Sequence, residues 1–439
     1  MAGAPGIPWL VSEHRAPRPL ALSLSGLALS ASVAYWAWSG DQTHHVHRHL
    51  GVWALAVSAY LLALWAARDL GQRGLNVALG LAFCWRLALV PAVPLLSDDV
   101  YRSVWEGRVQ LHGGNPYAWA DRPESERWRP LRDDSWERMN HRDYTAVYPP
   151  LWQLAMRAVM SIYAAPIAVK LFLVACEALA LFALGALCAR RGLARERLLV
   201  WAWSPLALVE IAGSGHNEPL GLLFVVLALL ALDTGRPAAA AVLVALGVQS
   251  KLIPALFAAG WARRFRIWHL LPAALVAAAL VWPFASAGVG LWRSLVALGR
   301  FWRFNETLFG ALAALLGTHD AASLAAHGLL AVLAAVLAWR RADAVTAGLV
   351  LTTAWLLLSA NVLPWYALWL LPWLVLREAP WALAFTLTCG LAYLVYPPWL
   401  LGGAWQVAPW VRACEYGPAL ILALAPLGRR WSQGRSETR

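Results

Sequence analysis

From residue 20 to residue 427 the chain alternates apolar runs with short connections, and most of those connections carry arginines. No other feature constrains the fold so tightly. A helix needs roughly 20 apolar residues to cross a bilayer core, and in lipid every backbone polar group has to be satisfied within the segment. The pattern predicts an all-α, polytopic transmembrane helical bundle with roughly 11–14 membrane helices. Composition agrees. Of 439 residues 60% are hydrophobic and 14% charged, where soluble domains carry about a quarter charged. The 28 tryptophans suit anchoring at the bilayer interface. The net charge of +12 is accounted for by arginines in the connections, so membrane lipids and not nucleic acid are the expected surroundings. Four of the five cysteines, Cys84, Cys176, Cys188 and Cys389, lie in apolar runs; with Cys414 they make no metal pattern and are read as free thiols, those four buried. The segment before the first run lacks the charged, apolar and cleavage regions of a signal peptide, so no cleaved leader is expected.

Charge sets the expected orientation. His14, Arg15 and Arg18 precede a first run at 20–38, and Arg68 and Arg73 follow a second at 50–67. The positive-inside rule places both sets in the cytoplasm. A third run, 75–96, contains an unusual Arg86 and delivers residues 97–150 to the outside. Residues 151–165 are too short to span and read as an interfacial helix. The remaining runs return to cytoplasmic clusters at 190–197, 263–266, 340–341 and 429–439. One run resists this scheme: a single crossing over 237–261 would leave Arg263, Arg264 and Arg266 outside. A broken hairpin with Lys251 near its tip resolves the conflict. The expected organisation is one membrane domain, 1–439: N-terminal spans at 20–96, an outer catalytic loop with an interfacial helix at 97–165, and the remaining spans at 166–428. Residues 285–305, with Arg293, Arg300 and Arg303, form a second outer loop. Both termini are expected in the cytoplasm of a multi-pass inner-membrane protein.

Candidate chemistry collects on the outer face. Asp98 and Asp99 stand together at the end of the third run. An aspartate there can serve as general base on a hydroxyl nucleophile, and neighbouring carboxylates raise each other's pKa. An aspartate before VYRSVWEGRV is also a natural helix N-cap, and one of each role is compatible. Arg102 and Glu106 are i, i+4 partners, as in a plain surface pair. Asn115-Pro-Tyr117 reads as a structural turn. His141, Arg142, Tyr144 and Tyr148 suit sugar hydroxyls and phosphate, although a lone histidine there is more often an ordinary surface residue. His216-Asn217-Glu218 lies between two runs, where ionisable groups usually face a cavity or cap a helix; Gly213 and Gly215 permit the turn before it. Lys251, inside an apolar run, needs an anion or a polar cavity. Arg300 and Arg303, among aromatic residues, suit a lipid phosphate or a headgroup anchor. P-loop, Rossmann, HExxH and serine-elbow motifs are absent, so a nucleotide-sugar donor has no evident site.

Six motifs then occur in order: SDDVYRSVWEGRVQLHGGNPY, NHRDYTAVYPPLW, WSPLALVEIAGSGHNEPLGLL, GVQSKLIPALF, RFWRFNETLFG and LSANVLPWYALWLLP. Together they resemble the GT-C superfamily of membrane glycosyltransferases, and within it the bacterial polyprenyl-phosphate-mannose-dependent mannosyltransferases, over roughly residues 75–396. The resemblance implies a GT-C bundle that transfers a hexose, mannose first, from a polyprenyl-phosphate sugar to a glycan or glycolipid hydroxyl at the outer face, with inversion. It implies a loop aspartate as base, Asp99 ahead of Asp98 on its Asp-x-Tyr spacing. Substrate contacts would come from Tyr101, Arg102, Glu106, His141, Tyr148, His216, Asn217, Glu218, Trp365 and Tyr366. Lys251 and Arg303, with Arg300 next, would hold the departing phosphate. No cofactor is expected; the Asp98–Asp99 pair is the one candidate ligand set for a divalent cation. The competing expectations are a flippase for lipid-linked sugars, which would need no aspartate pair and often shows two related halves, and a non-catalytic assembly subunit.

Overall fold

The structure is a computed structural model that describes residues 19–68 and 70–436, without the side chains of 426–436. The leader reading and the basic cluster at 14–18 lie outside the described residues, as do the side chains of the basic cluster at 429–439. Among the described residues every extended element is helical, and the one bridge of strand type pairs Phe304 with Asn361. The protein is thus an all-α polytopic membrane protein. Six helices are long and apolar enough to cross a membrane: Pro19–Ser39, Thr43–Ala66, Pro166–Arg190, Ile267–Ala287, His319–Trp339 and Pro380–Leu400. Shorter apolar helices at Pro237–Ser250, Ala344–Leu358 and Pro364–Leu376 fill the bundle between them.

Local sequence explains many of the helix ends. Proline, which lacks the N–H that a first turn would leave unbonded, opens the helices at Pro150, Pro166, Pro237, Pro254 and Pro380. Asp343 caps Ala344–Leu358 by accepting the N–H groups of Val345 and Thr346. The run at 198–212 is not one helix. It breaks at Pro205 and passes through a wide helical turn at Leu208–Gly213 before the chain reverses. Gly215 makes that reversal at φ +84°, where an added Cβ would meet Val100 at 3.0 Å.

One expectation on exposure changes, and one unusual charge is accounted for. Arg86 is neutralised inside the bundle. Its guanidinium grips both carboxylate oxygens of Glu177, each at 2.6 Å, and donates to the carbonyl of Ala202, while Trp201 donates to Glu177. Both ions are buried. Cys84 is exposed and not buried, because it sits on the outward side of the Gly71–Leu89 helix; Cys176, Cys188 and Cys389 are buried free thiols.

The segment 237–261 forms the broken hairpin. Pro237–Ser250 ends where Lys251 turns extended, and Pro254–Gly260 starts three residues later. Pro254 folds back onto Gly247, where a Cβ would meet it at 3.2 Å. Both ends stay on one face of the bundle. Arg191 bonds Asp233 at 2.7 Å, just before the hairpin, and reaches Asp343 at 3.7 Å. Arg264, just after it, donates to Ala342 at 2.9 Å. The connections therefore sort into an arginine face, with 191, 233, 264 and 342–343, and an opposite cavity face.

Candidate active site

The helix Asp99–Leu111 presents the acidic pair, and a companion helix, Pro150–Ile162, braces it. The two approach closely because residue 107 is glycine; a Cβ there would lie 2.5 Å from Met160. Neither aspartate caps the helix. The N–H of Asp99 goes to the Ser97 hydroxyl at 3.3 Å, and the Asp98 side chain makes no capping bond. Instead the Asn140 amide donates to both carboxylates, to Asp99 at 2.9 Å. Burial, followed by the charge of Asp99, pushes the Asp98 carboxyl up to about 6. Asp98, beside a second carboxylate and bridged to it by one neutral amide, therefore takes up a proton more readily than a free aspartate.

Arg102 and Glu106 are buried, which overturns the surface-pair reading. Arg102 donates to the carbonyls of Asn140, His141 and Tyr144 and thereby fixes the loop that carries Asn140. Glu106 accepts a 2.6 Å bond from Gln153, stands 3.5 Å from Arg102, and lines neither of the two chambers that meet at Asp99. Burial raises its pKa. His141 holds a left-handed φ of 45° and rests against Trp302, with ring centroids 4.4 Å apart. Burial and the Arg102 charge lower its pKa. The Asn115–Tyr117 turn is structural: it bonds Phe284 and Ser286, and the Tyr117 hydroxyl bonds the carbonyl of Tyr148.

Two chambers meet at Asp99. The large one, about 890 Å³, runs past Asp98, Tyr101, Arg138 and Arg303 to Trp399 and Trp405. The small one, about 270 Å³, runs past Arg102, Tyr148, Tyr366 and Lys251 to the apolar Leu252, Leu295 and Leu298. Asp99, Asn140, His141, Trp302, Asn361, Leu363 and Trp365 border both. Among the described residues Asp99 is the one carboxylate that does so.

Lys251 is not a lone cation. It pairs with the buried Glu218 and donates to Asn217 at 3.1 Å, while its ammonium lies 5.5 and 5.2 Å from the ring centres of Tyr148 and Tyr366. Asn217 and Glu218 thus seat the lysine and make no side-chain cap. His216 is stacked on Trp365 at 3.7 Å. Arg303 opens on the large chamber and not on the one holding Lys251; it bonds Glu306 at 2.7 Å. Its backbone is held by paired bonds between Phe304 and residues 360 and 362. Arg300 lines neither chamber and pairs with Asp320 on the surface. The three expected phosphate-binding cations are therefore not brought together. No group of three or more His, Cys, Asp or Glu side chains converges as metal ligands among the described residues.

Asn140, Arg138, Trp302 and Asn361 line the cavity without having stood out as contacts in the sequence. Asn140 sits inside a quoted motif, and its neighbour His141 drew the attention. Glu210 was also passed over, although a carboxylate inside the apolar LALVEIAG is a signal in itself.

No curated protein and no solved structure gives a significant match to this sequence. A family model described as alpha-(1->6)-mannopyranosyltransferase, N-terminal domain, matches residues 20–264. That match covers more than half of the chain and includes the aspartate pair, the His216–Glu218 turn and Lys251. The chain belongs to this alpha-(1->6)-mannopyranosyltransferase family and is a glycosyltransferase of the mannosyl-transferring kind.

Proposed function

We propose that the protein transfers mannose from a polyprenyl-phosphate sugar to a glycan or glycolipid hydroxyl, at the outer face of the cytoplasmic membrane, with Asp99 as general base. The observation that carries this reading is the place of Asp99, the carboxylate common to both chambers. The small chamber has an apolar wall and an ammonium, which suits an isoprenoid phosphate. The large chamber, with Arg303, Arg138 and tryptophans, suits a polar acceptor. The acceptor hydroxyl gives its proton to Asp99 as its oxygen bonds the anomeric carbon. The bond from that carbon to the phosphate oxygen breaks, and its electron pair leaves with the lipid phosphate. Lys251 has a third N–H beyond its bonds to Glu218 and Asn217, and this meets the leaving charge. Attack and departure on opposite sides of the anomeric carbon invert it, so a β-linked donor would yield the α-(1→6) linkage that the family's description gives. The residues described supply base and counter-charge, and the proposal includes no metal. Both termini and the arginine face would lie in the cytoplasm, which the basic connections favour.

The test is transfer by purified protein in lipid vesicles from radiolabelled polyprenyl-phosphate mannose to candidate acceptors. Labelled glycan, insensitive to a chelator and absent with Asp99→Asn, is expected. Translocation of the labelled lipid without transfer would favour a flippase instead.

A further inference from the structure

We infer that Glu210 and His216 are positioning residues that hold a hydrogen-bond donor against Asp99. This deepens the proposed function and rests on Asp99 being the base. His216 is 2% exposed and is enclosed on three sides. Trp365 covers a ring face at 3.7 Å, nearly parallel at 16°. The Nδ1 edge looks at the Asp99 carboxylate, 3.8 Å away, and the Nε2 edge at Glu210, 3.4 Å away. This imidazole has little edge left for a sugar, so its use is to connect the two acids.

Among the described residues no lysine or arginine contacts Glu210. Both of its oxygens receive the Tyr393 hydroxyl, at 2.9 and 3.0 Å, and it is fully buried. A bare carboxylate in such a place is expensive, whereas a neutral acid is not. A neutral Glu210 has one proton to donate, and the Nε2 lone pair of His216 is the acceptor facing it. A bond there leaves the imidazole proton on Nδ1, turned toward Asp99. The tautomer is thus set from behind, and the base gains a donor that favours its ionised form. No bond is made or broken in this arrangement. Of the remaining groups around Asp99, the Asn140 amide also donates to it at 2.9 Å but shares that NH2 group with Asp98, and the others do not replace the imidazole. Asp98 and Glu106 share its charge, Arg102 is spent on backbone carbonyls, Glu218 is paired with Lys251, and His141 faces Trp302. The hydroxyls of Tyr148, Tyr366 and Tyr396 make no bond to Asp99; that of Tyr396 goes to the Leu96 carbonyl.

The experiment is the pH profile of kcat for the full-length protein in vesicles, with His216→Phe, Glu210→Leu and Glu210→Gln. Phenylalanine keeps the stack on Trp365. Glutamine keeps an N–H toward Nε2. His216→Phe and Glu210→Leu should lower kcat about tenfold or more, with KM for the donor little changed, and should move the acidic limb to higher pH. Glu210→Gln should retain the wild-type limb. An unmoved acidic limb in His216→Phe overturns the inference, as does a limb in Glu210→Gln displaced like that of Glu210→Leu. If Glu210→Leu fails to fold, the other two variants still decide. Full activity of Asp99→Asn would instead remove the base assignment itself, so the two failures are distinguishable.

Discussion

Two acidic sites flank the third apolar run, and they have opposite characters. In the bundle, Glu177 meets Arg86 with both oxygens, accepts from Trp201, and is left with nothing to do. Just past the run, Asp98 and Asp99 share one amide donor, and among the described residues no lysine or arginine bonds either of them. The first arrangement satisfies a charge so that it can be buried. The second leaves charge under-satisfied at the junction of two chambers. In the sequence Arg86 stands out as a cation inside an apolar run, which is unusual. Its partner lies 91 residues away, on another helix, and only packing reveals that it is neutralised.

The contrast can be broken by substitution. Asp99→Asn should lower transfer by about a hundredfold or more at unchanged expression and melting temperature, measured with labelled donor. Arg86→Met should do the reverse. It strands Glu177 and should cost about 3–5 kcal/mol, read as lost expression and a lower melting point, while surviving folded protein keeps its specific activity. Adding Glu177→Leu should recover most of that stability. If the double variant stays unstable, the pair does more than neutralise itself.

Between these extremes stands Lys251, whose ion pair with Glu218 resembles the bundle pair in burial but opens on the small chamber. Lys251→Met with Glu218→Leu should fold, yet raise KM for the lipid donor about tenfold, since a charge-assisted bond to phosphate is lost. Unchanged KM would class it with Arg86. Asp98 supplies a pH test. Its folded value of about 6 lies above the ordinary 3.8, so the folded state binds the proton more tightly in that window. Stability from this group is complete below about pH 4 and is lost as pH rises through about 6, by at most about 3 kcal/mol. Thermal melts at pH 5 and 7.5 should differ less in Asp98→Asn than in wild type. The smallest effect belongs to Arg300→Ala. The surface pair with Asp320 contributes within about 1 kcal/mol, and transfer should stay within a factor of about two.

What the sequence disclosed follows from what is local. Hydropathy and arginine placement revealed the all-helical class, the loop that opens at Ser97, and the hairpin at 237–261, because span length and charge sidedness are properties of short stretches. The motif order pointed to the family. Partnerships at long range were beyond it: Arg86 with Glu177, Asn140 with both aspartates, and Lys251 with Glu218, whose side chains come from separate elements. The same limit explains why Arg303 and Lys251, both cations near the same face, looked like one phosphate site and line separate chambers. The amphipathic helix Gly290–Phe301 was read as plain loop, since its two arginines, Arg293 and Arg300, masked a helical period.

The central claim is that sugar transfer occurs where the chambers meet. Cryo-electron microscopy of the protein with a non-transferable mannosyl phosphonate on an isoprenoid chain tests it most directly. The chain is expected in the small chamber, the phosphonate on Lys251, and a hydroxyl acceptor position between the anomeric carbon and Asp99, about 3–3.5 Å from that carbon. A sugar bound on the arginine face near Arg191 and Asp233, with the Asp99 junction empty of ligand, would contradict it.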